Sequence, residues 1–364
     1  MGKIIFEGQE ISFDMIKGGH WPMHSQYLSE TLDFCQEWLN GKAEFQLQTS
    51  GSTGNPKTIT VSRRQMQISA AATGAFFEIP VNSTLLCCLN TSMIAGRMML
   101  VRAMEWDSLL HLREPEGLPL ATFSAQQYWD FVAMVPAQVE NCLMKPAEKQ
   151  KLQSIAKLII GGAPLSSQVQ LALSQIPIKA YQTYGMTETV SHIALAEITG
   201  SLPLIYQVLP GVVINTSEDG QLIIDAPMAE QRLHTHDRVE IIGTDRFHWL
   251  GRSDFTINSG GVKIQPEIVE QKIAGLMNDL FPGTRYIIAG AAHEKWGEEV
   301  VLLIEGAEAS DLIGQLMEGM AEQLEKYHRP KKVLFIENFA STPSSKIKRK
   351  ESLSLALEKA KEDQ

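Results

Sequence analysis

Thr49-Ser50-Gly51-Ser52-Thr53-Gly54-Asn55-Pro56-Lys57 gathers hydroxyl, glycine and lysine residues into one short stretch. Such a stretch leaves backbone N–H groups and hydroxyls uncovered, which suits an anion as large as a triphosphate. A P-loop would need glycine where Pro56 stands. Proline has no N–H and a fixed φ, so a nest around a β-phosphate cannot form in that manner. The chain carries 32 Lys and Arg against 42 Asp and Glu, a net charge of −10. That balance argues against a nucleic-acid partner, which needs a basic face, so any anionic ligand must be held by local donors. A second group of cations, Lys346, Lys348, Arg349 and Lys350, lies near the end of the chain and by itself reads equally as a solvated tail.

Three textures of sequence must position these residues. Between Thr84 and Thr187, apolar runs at Thr84–Leu89, Ser108–Leu112 and Lys157–Ile160 predict strands, and Ser124–Val135, capped by Ser124, predicts a helix. Strands alternating with helices are the grammar of an α/β fold. From Gly211 to Ile257 short alternating strands follow, with hairpin signals at Glu218-Asp219-Gly220 and Gly243-Thr244-Asp245. After Asp254, Pro266 opens a helix whose apolar positions are Val269, Ile273, Leu276 and Leu280. Leu312, Leu316, Met320 and Leu324 mark another helix, with a buried strand at Val300–Ile304 between them. A chain of 364 residues exceeds what one core usually serves, so two domains are expected, 1–253 and 254–364. No apolar stretch approaches the roughly 20 residues that cross a bilayer, and Met1–Glu10 lacks the pattern of a signal peptide, which points to the cytoplasm. Cys35, Cys87, Cys88 and Cys142 show no metal spacing and read as reduced core thiols.

The Thr49–Lys57 stretch resembles the phosphate-binding signature of the acyl-adenylate-forming (AMP-binding) superfamily: acyl-CoA synthetases, peptide-synthetase adenylation domains and luciferases. Further motifs follow in the order of that family, over roughly residues 45 to 350. Ile160-Gly161-Gly162-Ala163-Pro164 resembles its adenine-contacting turn. Tyr184-Gly185-Met186-Thr187-Glu188 resembles Y-G-x-T-E, in which the Thr meets phosphate and the Glu holds Mg²⁺. Thr235-His236-Asp237 stands in the place of T-G-D, whose Asp accepts the ribose hydroxyls. Gly251-Arg252-Ser253-Asp254 resembles the G-R-x-D hinge and Ser259-Gly260-Gly261-Val262-Lys263 its glycine turn. His293–Glu298 and Thr342–Arg349 resemble two C-terminal signatures. His236 and Ser345 replace glycines of the pattern, and would cost about 1 kcal/mol if either position required positive φ. The 48 residues ahead of Thr49 are few for this family, so part of the N-terminal subdomain is expected to be missing.

The resemblance implies the adenylate-forming-enzyme fold, with a large AMP-binding domain and a small mobile domain. It also implies an AMP-forming acid–thiol ligase that uses ATP, Mg²⁺ and CoA. Lys346 would stabilise the attack of a carboxylate on the α-phosphate, Glu188 would hold Mg²⁺, and Ser50, Ser52, Thr53 and Lys57 would line the β- and γ-phosphates. Rotation about Asp254 would then bring the Gly260-Gly261 turn to a CoA channel for the second half reaction. Ala95–Arg102 and Tyr184–Leu195 resemble the branch that activates an aromatic dicarboxylate. Its non-reacting carboxylate needs a cation or donor, for which Arg97 and His192 are candidates. The same nucleotide motifs suit another acid–CoA ligase, a stand-alone adenylating domain, or a shortened nucleotide binder without turnover. The partners expected are a small carboxylic acid, ATP, CoA and a second copy of the chain as a homodimer, with no nucleic acid and no membrane insertion.

Overall fold

In a computed structural model, residues 2–21, 25–49, 57–341 and 347–362 are described. They fall into two compact units. Met1–Asn215, Ile223–Leu233 and Ile242–Phe247 form the first, and Thr216–Leu222, His234–Ile241 and His248–Gln364 the second.

The first unit is built on parallel strands. Lys3–Phe6, Leu109–Leu112, Thr84–Cys87, Phe131–Met134, Leu158–Ile160 and Ala180–Gly185 neighbour one another in that order, all parallel. Gln9–Ser12 closes one side, while His192–Glu197 and Ile205–Val208 extend the other, all three antiparallel. Helices such as Arg63–Phe77, Ile94–Glu105 and Pro136–Met144 lie between strands in the chain, as an α/β fold requires. Leu86, Val132, Met134, Leu158 and Ile160 share one core with Trp129, Val139 and Leu173. Outside this sheet, Glu44–Thr49 and Lys57–Ser62 form an antiparallel hairpin with Thr49 opposite Lys57, which brackets residues 50–56.

The helix expected over Ser124–Val135 is not there. Residues 124–130 are irregular, with a turn at 125–126 and an isolated bridge from Trp129 to Ile155, and Phe131–Met134 is a strand buried at all four positions. A strand covered on both faces has no alternation, and over so short an apolar run it is easily mistaken for part of a buried helix. The helix begins afterwards, at Pro136. The hairpins fall where expected, between Val213–Thr216 and Gln221–Asp225 and between Leu233–Ile242 and Arg246–Arg252.

The second unit centres on the antiparallel pair Tyr286–His293 and Gly297–Glu305, with Lys332–Ile336 parallel to the latter. The helix that opens at Pro266 is broken at Ile273 into Pro266–Lys272 and Ala274–Leu280. These helices and Ser310–Gln323 supply Val269, Ile273, Met277, Leu316 and Met320 to one core. The tail helix Arg349–Glu362 covers a second one through Leu353, Ala356 and Leu357.

Candidate active site

Ligands of open parallel sheets bind at the carboxyl ends of the strands. Two expected motifs occupy such ends on adjacent strands. Gly161-Gly162-Ala163 follows Leu158–Ile160, and Gly185 ends Ala180–Gly185, directly ahead of Thr187 and Glu188. The glycines are there for steric reasons. A Cβ on Gly161 would lie 2.5 Å from Thr183 Oγ1, and Gly162 has φ +94°. A Cβ on Gly185 would lie 2.4 Å from the carbonyl oxygen of Ser191, because the following strand folds tightly back. Tyr184 packs edge-on against Phe247, with ring centroids 5.3 Å apart. Thr187 heads a single 3₁₀ turn, Thr187–Thr189, that presents Glu188 to solvent.

Among the described residues, no group of three or more His, Cys, Asp or Glu side chains could cage a metal. Glu188 is an exposed carboxylate with no ion pair among those residues. A hard carboxylate oxygen is a donor that Mg²⁺ takes, so Glu188 fits that ion. Ser50, Gly51, Ser52, Thr53, Gly54 and Lys346 lie outside the described residues. Thr49 and Lys57 are placed by their backbone in the bracketing hairpin.

The second unit assembles the T-H-D and G-R-x-D segments. Asp237 is buried, and its Oδ1 accepts from Trp249 Nε1 at 3.1 Å and faces Arg252 at 3.8 Å. Arg252 also binds Asp254 at 2.7 Å, and His236 Nδ1 lies 3.1 Å from the same carboxylate. Burial alone would raise the Asp254 carboxyl, but Arg252, His236 and Lys350 hold it below its ordinary value. His236 sits in the Leu233–Ile242 strand and is not among the residues with positive φ, so its Cβ meets no backbone penalty. Gly251 has φ +130°, and a Cβ there would approach Glu267 Oε2 to 2.4 Å. Gly260 and Gly261, with φ +60° and +87°, make the tight turn between Ile257–Ser259 and Val262–Ile264. The Gly260 amide donates to the Trp296 carbonyl, tying that turn to the His293–Glu298 segment.

The two residues expected at the acid sit differently. Arg97 donates to backbone carbonyls, Nη1 to Gln46 at 2.6 Å and Nε to Thr91 at 3.3 Å, and burial lowers its pKa. His192 is buried, its Nε2 3.1 Å from Thr73 Oγ1 and its Nδ1 3.4 Å from Ser191 Oγ. Both ring nitrogens are therefore engaged within the protein. Burial, and then the charge of Arg102, hold it well below the ordinary imidazole pKa, so it is neutral. The residue that sequence reasoning passed over is Arg102 itself, 2% exposed, with Nη2 3.1 Å from Ser191 Oγ.

Comparison with known proteins agrees with these motifs. Residues 45–221 match the family model described as AMP-binding enzyme. A crystal structure of an acyl-CoA synthetase (AMP-forming)/AMP-acid ligase II-like protein from Dyadobacter fermentans is 38% identical, over 93% of this chain and 97% of that one, with a TM-score of 0.63. The chain belongs to the AMP-binding enzyme family. A 2-succinylbenzoate–CoA ligase of Bacillus cytotoxicus is 23% identical over 98% of this chain and 78% of the relative. The family fold also matches the O-succinylbenzoate Coenzyme A Synthetase (MenE) of Bacillus subtilis, solved with ATP and magnesium ion, at TM-score 0.70 and 19% identity, over 85% of this chain and 69% of that one. This is the adenylate-forming α/β fold expected from the motifs.

Proposed function

We propose that the chain is an AMP-forming acid–CoA ligase whose acid is 2-succinylbenzoate, a step of menaquinone synthesis. The observation that carries the reading is the placement of Gly161-Gly162 and Gly185-Met186-Thr187-Glu188 at the carboxyl ends of adjacent parallel strands. The named relatives supply the substrate. In the first half reaction a carboxylate oxygen attacks the α-phosphorus of ATP and pyrophosphate leaves. In the second, the CoA sulfur attacks the acyl carbon of the acyl-AMP and AMP leaves.

Two anions meet in the first step, so the barrier is largely electrostatic. Lys346 is the proposed cation at the reacting oxygens. Glu188 would hold Mg²⁺, which when bound offsets charge on the β- and γ-phosphates. Asp237 would fix the ribose. Asp254 is the proposed hinge, after which Gly260 and Gly261 line the CoA path. Arg97 is the proposed partner of the carboxylate that does not react, since its hydrogen bonds go to carbonyls and no ion pair neutralises it among the described residues. No helix among the described residues is long and apolar enough to cross a membrane. The cytoplasm is the proposed location. A homodimer is proposed for the assembled state.

The test is ATP–pyrophosphate exchange with and without 2-succinylbenzoate. Exchange should require the acid and vanish in Lys346→Ala, while that variant still converts supplied acyl-AMP and CoA. Equal loss of both half reactions would remove Lys346 from the assigned role. Exchange that ignores CoA and needs a carrier protein to discharge would favour a stand-alone adenylating domain, and nucleotide binding without exchange a silent relative. Arg97→Ala should raise the KM of the dicarboxylate more than that of a monocarboxylate analogue, and an unchanged ratio would take Arg97 out of the acid pocket.

A further inference from the structure

Four basic side chains of the second unit meet around one cavity. Arg238, Lys263, Lys272 and His328 line it together with apolar residues such as Leu250 and Ile268, and its volume is about 230 Å³. Local structure explains each placement. On the Leu233–Ile242 strand Thr235 and Asp237 are buried, so alternation turns Arg238 to the other face. Lys263 precedes the buried Ile264 on the Val262–Ile264 strand. Ile268 and Lys272 are four apart on the Pro266–Lys272 helix and therefore share a side of it. His328 follows the Ser310–Gln323 helix, its amide donating to the Glu325 carbonyl at 2.9 Å.

The charge around this cavity is unbalanced. None of the described residues that line it is acidic, and Arg238, Lys263 and Lys272 have no ion pair among the described residues. Arg238 Nε and His328 Nδ1 are both buried without a hydrogen-bond partner there. Glu325 stands 3.7 Å from that histidine nitrogen, but it is 75% exposed, and the distance is beyond a hydrogen bond. Buried polar atoms are nearly always paired, so two orphans beside one cavity call for a ligand that accepts from them. In a chain of net charge −10 a cluster of cations without an acid is also not what the average surface supplies.

The chemistry selects the ligand. Ammonium groups and a guanidinium attract compact oxyanions, and the guanidinium fork suits phosphate in particular. At about 230 Å³ the space falls below the roughly 300–1,000 Å³ of pockets that enclose drug-sized molecules. That favours phosphate or pyrophosphate over a whole nucleotide.

We propose that this cavity binds a phosphate-type anion, and that the bound anion ties the chain before Asp254 to the chain after it. Arg238 and Leu250 precede Asp254 in sequence, whereas Lys263, Lys272 and His328 follow it. An anion held by both groups resists rotation about Asp254, so ligation slows, because its two half reactions need different orientations. The second clause rests on the hinge reading of Asp254 given above. The binding site does not.

Titration calorimetry tests the site, with sodium phosphate and sodium pyrophosphate as separate titrants in a chloride buffer of constant ionic strength. The protein is Lys57→Ala, in which the other place for phosphates is weakened, and whichever titrant binds more tightly identifies the anion. In that background Lys272→Met and Arg238→Met should each weaken binding about tenfold, as loss of one charge-assisted contact implies. Lys272→Arg should retain it. Lys272 is exposed, so its replacement reads binding rather than folding. With Lys57 restored, phosphate should lower the kcat of CoA ligation and leave the KM of ATP unchanged, and Lys272→Met should need about tenfold more phosphate for the same effect. No binding of either anion, or an affinity unchanged in both methionine variants, would overturn the site. Bound phosphate that leaves kcat untouched would overturn the tie across Asp254. Should the wild-type protein catalyse no ligation, the ligase reading fails, while the calorimetry still decides whether the cavity takes an anion.

Discussion

Arg102 in the first unit and Arg349 in the second are both withdrawn from water, and they are satisfied in opposite ways. Arg102 meets hydroxyls and a thioether, and burial drags its pKa down. Burial pulls on Arg349 too, but Glu270 grips it from both guanidinium nitrogens, Nη2 to Oε2 at 2.9 Å, and together with Glu267 drives its pKa above the ordinary arginine value. Arg349 heads the tail helix, and Glu270 lies in the Pro266–Lys272 helix. Their pair is an anchor that fixes the start of the tail helix, three residues after Lys346. Arg102, in the Ile94–Glu105 helix, meets Thr73 of the Arg63–Phe77 helix at 3.4 Å and Ser191 at 3.1 Å, and these partners are neutral. The same side chain is ion-paired in one place and met by neutral groups in the other.

The largest effect should come from breaking the anchor. Glu270→Gln leaves Arg349 without its carboxylate, and removing one partner of a pair this enclosed typically costs about 3 kcal/mol or more. Arg102→Met removes a charge that has no partner to strand, so the midpoint of urea unfolding should fall far less, or rise. If both variants lost the same stability, the distinction between a paired and an unpaired buried arginine would be broken.

Much of this could be read in advance, and the exceptions have physical reasons. Glycine patterns exposed the turns at Gly161-Gly162, Gly185 and Gly260-Gly261, because those backbones cannot carry a Cβ or need positive φ. Arg102 also left a signal. Met98, Met99, Leu100, Val101 and Ala103 are buried on every side of their helix, and a charge inside such a run has to be buried with them. The bend at Val190 was illegible, since a β-branched residue argues against positive φ and only the folded surroundings force it there. The Phe131–Met134 strand was obscured by burial on both faces, which erases the alternation that identifies strands.

A smaller effect separates the two clusters by pH. His192 sits beside a cation and stays neutral when folded, its pKa depressed by burial and then by Arg102. The unfolded chain takes up that proton near pH 6.5, and the folded one does not. Below that pH the unfolded state binds more protons, so acid destabilises the fold by about 1.4 kcal/mol per unit, about 2 kcal/mol between pH 6.5 and 5. Above pH 7 the contribution is flat. Urea unfolding at pH 7 and pH 5 should therefore show a larger acid penalty in the wild type than in His192→Gln; equal penalties would mean that His192 is protonated in the fold.

The smallest effect concerns His236, which stands where the family pattern has glycine. Its side chain is exposed and pairs with Asp254, itself partly exposed, and a pair this open to solvent contributes about 1 kcal/mol at most. Its backbone is extended strand, so glycine would find no strain to relieve and would bring extra freedom to the unfolded chain. His236→Gly should thus lower stability slightly, by about 1 kcal/mol. At Val190, whose φ is +65°, Val190→Gly measured against Val190→Ala should move the other way. Glycine scanning then becomes a direct comparison of the two regions: one β-carbon held against its backbone preference beside Glu188, the other at ease beside Asp254. A gain in stability from His236→Gly would reverse that contrast and place the strain at the hinge instead.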